Sequence, residues 1–596
     1  MSWRGWYGGG CEGAGVSDCT PGLKALRKAV SELMIMRRFF FSLWLLAVTV
    51  SVAGAVEMLR PEQLQRGMKG YGLSVFQGTE PERFEVEILG VLPNAFPKQD
   101  MILIRMSGAN LEQHKVIAGM SGSPVYIDDK LIGALAYGWA FENEPMAGVT
   151  PIHNMLAELE RPAGAPGGAL IAPVGGAENH AAPKPLLTPL SLGGFSPRVL
   201  EAMSAQWERW GLWPVAAGGG AAPGQPRARG KIVPGSAIGV ELIRGDLNAV
   251  AVGTASHVEG NRILAFGHPF FQSGQWRAPA VEAEVQTIMS SSFRSFKLAT
   301  GRGDVGAMIG DWQSCIVADT TAESPMIPVR ITAANQDTGQ RDTYAMEVVD
   351  NQVFSPMLVL MAIVEAVTAT SGSAQDTTVR VELEAELADR TLKIANTFFN
   401  PSGGLISFES LRPLTSIFNT PFGSPQVKRI NVTVDAVQTR QTALIKGAYF
   451  SKSEAERGES ILLNVVLQPF GLPEATVTVP IKVPAATDSL RALAVLVMAG
   501  ATAPADVAPP DSQATFLDAL QKRHRNTDLV VLVQSPGQGL QYRGRLLKNL
   551  PASVLGVLDD ASSRDVTGVA DVQQLVTPTK WVLSGHAAAR IPIREE

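Results

Sequence analysis

GMSGSPVYIDDKLIGALAYGW, residues 119–139, decides the reading of this chain. It opens on Gly119-Met120-Ser121-Gly122-Ser123-Pro124, a G-x-S-G-x-P turn, and continues into two β-rich segments joined by Asp128-Asp129. A nucleophilic serine needs a tight turn that exposes its Oγ, with backbone N–H groups aimed at the oxyanion that develops beside it. Gly122 lets the chain kink without a Cβ clash. The N–H groups of Gly119 and Ser121 are the candidate oxyanion hole, and Ser121 is the candidate nucleophile. The plain alternative is a Gly/Ser hairpin turn with no chemistry.

Outward from that turn, residues 62–160 read as short strands: LSVFQG, RFEVEILGVL, DMILIRMSG, GSPVYIDD and KLIGALAYGWAF, cut by Gly, Asp and Asn. Thr150-Pro151 then opens a helix over IHNMLAELE. Strands resume in 231–335 with NAVAVGTASHVEG, NRILAFGHPFF and MIPVRITAA, and period-2 alternation returns in 427–485. The organisation expected is a doubtful upstream extension (1–35), a signal peptide (36–55), a serine-bearing half (56–162) and a Pro/Gly-rich linker with one helix (163–229). A histidine-bearing half (230–335), an α+β segment (336–424), a β-sandwich-like domain (425–486) and a C-terminal α/β segment (487–596) follow.

Composition narrows the function classes. The 596 residues carry a net charge of −5, which gives no basic surface for nucleic acid. Three cysteines, Cys11, Cys19 and Cys315, cannot build a disulfide framework or a cysteine-rich metal site. There is no H-E-x-x-H, C-x-x-C or Walker loop, so neither a metal nor another cofactor is expected. Met36-Arg37-Arg38, the apolar run FFFSLWLLAVTVSV and Ala53-Gly54-Ala55 read as the n-region, h-region and cleavage site of a secretory signal. Met36 is then the expected initiator, and the expected location is periplasmic or extracellular. No stable membrane span is expected after cleavage; the apolar Met357–Val367 is interrupted by Glu365 and reads as a core helix.

The stretch 119–139 resembles the serine motif of the SpoIVB-type peptidases, the S55 family of chymotrypsin-like serine endopeptidases. Gly253-Thr254 through Ile263-Leu264-Ala265-Phe266-Gly267-His268-Pro269 resembles that family's histidine motif. The resemblance implies a mostly β, chymotrypsin-like double β-barrel, a protein or peptide substrate, Ser121 as nucleophile and His268 as general base. The order is reversed: in the sporulation enzymes the histidine precedes the serine, so the barrels here are expected to be permuted or intertwined. The histidine census agrees. Between Val56 and Ser121 the only histidine is His114, too close along the chain to act from an opposite barrel. His257 reads as solvent-facing and His153 as structural. The carboxylate that orients the base stays open between Asp304 and Asp100, with Asp311 a further acid downstream. The C-terminal β-rich region is expected to bind substrate or a cell-envelope partner. The rival expectation is a non-catalytic, protease-like binding or envelope structural protein.

Overall fold

Beyond residue 55 the chain is organised by strands whose apolar residues alternate. The computed structural model describes residues 56–139, 143–161, 183–218, 227–371, 376–401, 412–484, 491–505, 510–542, 545–547 and 566–594. The segments expected as upstream extension and signal peptide, with Cys11 and Cys19, lie outside the described residues.

Six strands form the first barrel: β1 (Lys69–Ser74), β2 (Glu82–Phe96), β3 (Gln99–Ser107), β4 (Pro124–Ile127), β5 (Lys130–Gly138) and β6 (Met146–Pro151). They run in the order β4-β1-β2-β3-β6-β5, and β5 pairs back onto β4, closing the ring. In β2 the period is visible: Phe84, Val86 and Ile88 are buried in the barrel while Glu85 is exposed. β4 and β5 turn on Asp128 and Asp129, both at positive φ (50° and 61°), the two-residue geometry that matches the twist of a hairpin. The expected helix after β6 is short, Ile152–Leu156.

After β7 (Lys184–Pro185), the second ring is built from β10 (Ala237–Gly245), β11 (Asn248–Glu259), β12 (Arg262–Ala265), β13 (Ala278–Met289), β14 (Phe296–Asp311) and β15 (Ile316–Asp319), with β8 (Thr188–Gly193) and β9 (Leu212–Ala216) beside it. The order β10-β13-β14-β15-β12-β11 closes through a β10–β11 pairing. The fold is therefore mostly β with two closed six-stranded barrels, as expected. β8 falls in the segment expected as linker, yet it pairs with β11 from Leu190↔Ala251 to Gly193↔Asn248. The apolar run Thr188–Gly193 is buried at every residue, so a sheet rather than solvent takes it.

The second barrel is closed but its sheet continues beyond the ring. Ile238–Val240 of β10 pair with β13, whereas Ile243–Gly245 pair with β17 (Arg341–Val349). Through β17 the sheet continues into β16 (Met326–Asn335), β20 (Val427–Val437), β18 (Thr377–Leu387) and β19 (Thr391–Asn400). β20 was expected to begin the sandwich; it lies parallel to β16 and antiparallel to β18 in the large sheet instead. The apolar segment around Met357–Val367 is a buried helix, Phe354–Ser371. Its one acid, Glu365, accepts from the N–H and Oγ of Ser196 at 2.8 Å each. Ser196 is the N-cap of the helix Pro197–Arg209, so the carboxylate sits where a helix N-terminus favours negative charge. No helix among the described residues is long and apolar enough to cross a membrane.

The sandwich starts later than expected and takes in the C-terminal segment. One sheet holds Thr442–Phe450, Ser460–Pro469, Ala475–Lys482 and Val582–Ser584; the other holds Ala492–Ala499, Asp528–Tyr542, Arg545–Leu547, His586–Pro592 and Val566–Pro578. Leu463 and Val465 from the first share a buried core with Val495, Val531 and Ile591 from the second.

Candidate active site

The two barrels meet at the Gly-Met-Ser turn. Between them lies an apolar contact of Tyr126, Leu131, Ala134, Ile152 and Met155 with Leu264, Cys315 and Val317. Burial of each such aliphatic side chain contributes roughly 1.5–3 kcal/mol, which holds the barrels against each other. Cys315 is part of this seam, fully buried, and burial pushes its thiol well up, so it is an apolar filler and not a nucleophile.

Backbone contacts then fix the turn. The N–H of Thr254 donates to Ser121 O (2.8 Å) and the N–H of Gly122 to Leu135 O (2.7 Å). Ser256 Oγ donates to Gly122 O (2.7 Å). Gly122 has φ +96°, and a Cβ there would stand 2.0 Å from Thr254 O and 2.5 Å from Phe266 N. Only glycine lets the serine turn enter the second barrel this closely. The histidine side makes the same demand. Gly267 has φ +69°, a Cβ on it would meet Leu135 O at 2.9 Å, and its carbonyl accepts from Thr150 Oγ1. Phe266, before it, is also at positive φ (71°), an uncommon state for a bulky residue and one that clusters at functional turns. The stretches containing Ser121 and His268 are thus packed on each other, although about 150 residues of sequence separate them.

Ser121 and His268 are both buried, at 0% and 2% exposure. His268 Nδ1 bonds to Pro269 O at 2.8 Å, so this nitrogen carries the hydrogen and Nε2 holds the free lone pair. Neither His268 Nε2 nor Ser121 Oγ has a hydrogen-bond partner, so the two are in one region without a bond between them in this structure. Burial pulls the imidazole down to about 4, opposed by the bond to Pro269 O, which keeps it neutral near pH 7. The N–H groups of Gly119 and Ser121 donate no hydrogen bond to any described residue, while those of Met120, Gly122 and Ser123 all do.

The carboxylates are placed differently from one another. Asp304 is half exposed and lies near Arg227 and Arg244 (3.8 and 3.5 Å), with Glu241 beside them. Asp100 accepts from the N–H of Asn94 in the β2–β3 turn. Neither hydrogen-bonds His268. Asp311, fully buried, accepts from the N–H groups of Phe270 and Phe271 (2.7 Å each) and from the N–H and Oγ of Ser273 (3.1 and 3.0 Å). Burial pushes its carboxyl up and these four bonds pull against that. Asp311 therefore anchors the loop that leaves His268. His257 is buried at 7% exposure, not solvent-facing: β11 is buried along almost its whole length by its neighbours. His153 is half-buried on the helix after β6, with burial lowering its pKa. No group of three or more His, Cys, Asp or Glu suited to a metal ion occurs among the described residues.

Sequence reasoning passed over Lys297, Ser74, Ser123 and Thr254, which surround the base of the turn. Lys297 was findable: in FKLAT of β14 it shares the inward parity of Ala299, an unusual place for a lysine.

Two closed six-stranded barrels joined at a Gly-Met-Ser turn define a chymotrypsin-like double-barrel class. Residues 51–156 match the family described as SpoIVB peptidase S55, so the serine-bearing barrel is similar to the SpoIVB-type peptidases. The match ends before His268. No curated protein matches the chain. Among solved structures, the human desmocollin-1 ectodomain aligns at 9% identity over 60% of this chain and 55% of that one, with a TM-score of 0.07, and carries no argument.

Proposed function

We propose that the chain is an exported serine endopeptidase in which Ser121 attacks the peptide carbonyl and His268 takes the proton. The observation that carries this reading is the coincidence at one seam of four unspent groups: Ser121 Oγ, His268 Nε2 and the N–H groups of Gly119 and Ser121. A buried polar group without a partner costs about 1–3 kcal/mol, and four of them on stretches packed against each other are what a site awaiting a substrate retains. The lone pair of Nε2 accepts the Ser121 proton as Oγ bonds to the carbonyl carbon. The carbonyl electrons move onto oxygen, and the two N–H groups receive that charge. His268 then returns the proton to the leaving amine. Water repeats the sequence on the acyl-enzyme and releases the acid.

In this reading the orienting role expected of Asp304 or Asp100 passes to the Pro269 carbonyl, which fixes the Nδ1–H tautomer, with Asp311 holding the following loop. Because Ser121 is wholly covered, a peptide bond reaches it only after the cover shifts, and the Ser121–His268 bond forms in that step. Export rests on the signal-like 36–55 segment.

The missing Ser121–His268 bond favours a second reading, a protease-like binding module. One experiment separates the two. The purified mature protein is treated with a fluorophosphonate probe and with a peptide library. Labelling at Ser121 together with cleavage, both lost in Ser121→Ala at unchanged thermal stability, is the outcome expected of the peptidase. A wild type that neither labels nor cleaves overturns that reading and leaves the binding module.

A further inference from the structure

Lys297 is fully buried in β14 and has no ion-pair partner among the described residues. Its Nζ lies 2.9 Å from Ser74 Oγ and 3.2 Å from Thr254 Oγ1. From these hydroxyls two arms run to the serine turn. Thr254 Oγ1 donates to Gly119 O at 2.9 Å. Ser74 Oγ is 3.0 Å from Ser123 Oγ, which donates to Met120 O at 2.7 Å. The arms end on the carbonyls of the two residues directly before Ser121. The stem of Lys297 also walls the turn: a Cβ on Gly119 would stand 3.2 Å from its Cγ and Cδ.

Peptide planarity turns this clamp into an aim. The Met120 carbonyl and the Ser121 N–H belong to one trans peptide and point in opposite directions. Holding that carbonyl toward Ser123 and Ser74 drives the Ser121 N–H the other way, which leaves it unspent. We propose that Lys297 is the positioning residue of the oxyanion hole, aiming the Ser121 N–H through the Ser74–Ser123 arm and steadying Gly119 through Thr254. This rests on the reading of Ser121 as nucleophile.

The groups that face Nζ are hydroxyls from β1 and β11, with no carboxylate against it. Burial without a counter-charge brings the amine down to about 7. Nζ donates to both hydroxyls, which leaves the Thr254 proton for Gly119 O and lets both arms run outward from the amine.

Lys297→Met keeps the length of the stem and removes the amine. The expected result is a fall in kcat of about 10- to 100-fold with KM within twofold, since only an interaction of the transition state is lost. Amide exchange in residues 117–124 rises, while exchange in the sandwich strands is unchanged. Thr254→Val, which cuts one arm, gives a smaller change of the same kind and serves if Lys297→Met does not fold. Unaltered exchange across 117–124 in folded Lys297→Met overturns the proposal. If the wild type shows no hydrolysis, the nucleophile reading fails, and the exchange measurement alone still decides the role of Lys297.

Discussion

The two barrels bring different currencies to their meeting point. The first contributes backbone: a turn in which the N–H groups of Gly119 and Ser121 are free of described partners and the carbonyls of Gly119 and Met120 are clamped. Its nearby tyrosines, Tyr126 and Tyr137, are pushed up to about 12 by burial and stay neutral. The second contributes titrating side chains, His268 and Lys297, both drawn down by burial to values near or below neutrality. The first ring carries only the two-residue β7 beyond its six strands, whereas the second continues through β10 into a thirteen-stranded sheet. A barrel woven into a larger sheet carries residues whose buried, uncompensated state costs free energy that a larger core offsets.

The largest test of this division is His268→Ala. Loss of a general base lowers the rate about 10²- to 10⁴-fold, and peptide hydrolysis with a fixed substrate measures it. His257→Ala in the same barrel is expected to leave hydrolysis within threefold, because burial and not a polar contact to the turn defines that residue. Equal losses in the two would show that the second barrel acts only as scaffold. Next comes Asp311→Asn. The amide oxygen can replace only one of the two accepting oxygens, so the amide nitrogen is set against at least one backbone N–H donor and the charge-assisted bonds, roughly 1.5–3 kcal/mol each, are lost or weakened; a thermal melt should fall by several degrees and hydrolysis by about tenfold or more.

The legible and the illegible parts of the sequence divide along the same line. The serine turn was readable because its demands are local: glycine at φ +96°, a two-residue Asp-Asp hairpin, and alternation on both sides. The two rings were implied by the resemblance of 119–139 and 253–269 to the SpoIVB-type peptidases, while the strand pattern itself gave only a β-rich chain. β20 and β8 were misplaced because a strand's alternation states that a face is buried and not which sheet covers it. Asp304 drew attention through its place after His268 in the chain, yet it lies among Arg227, Arg244 and Glu241, while the His268 hydrogen is taken by a carbonyl that no sequence pattern marks. The Lys297 amine reaches the turn through hydroxyls of Ser74 and Thr254, 223 and 43 residues away along the chain, and that three-body relation is invisible to spacing.

Acid provides a gentler probe of the second barrel. His268 stands at about 4 in the folded protein against an ordinary 6.5 when unfolded. Between those values the unfolded state binds more protons, so stability is present above pH 6.5 and is lost as pH falls toward 4. The full difference is at most roughly 3 kcal/mol. Denaturant melts of wild type and His268→Gln across pH 4–7 should converge on the acidic side by that amount. Parallel curves would mean that the imidazole is not desolvated, and the contrast with the first barrel would weaken.

The smallest expected effect is the most discriminating for the site itself. Asp304 is 45% exposed on its side chain and its nearest cations have Glu241 as a closer partner, at 2.7–2.8 Å against 3.5–3.8 Å. Removing its charge leaves Arg227 and Arg244 paired with Glu241, and contacts as long as 3.5–3.8 Å are weak ones to lose. If the Pro269 carbonyl orients His268, Asp304→Asn should keep hydrolysis within about threefold of wild type, far from the loss of about 10⁴-fold that follows when a triad aspartate is replaced. A large loss in Asp304→Asn at unchanged stability would return the carboxylate to the base and require the β13–β14 hairpin to rearrange when the site opens. The comparison with Asp311→Asn settles which acid of the second barrel serves the histidine: one anchors its loop through backbone hydrogen bonds, the other lies beside two arginines that Glu241 already pairs.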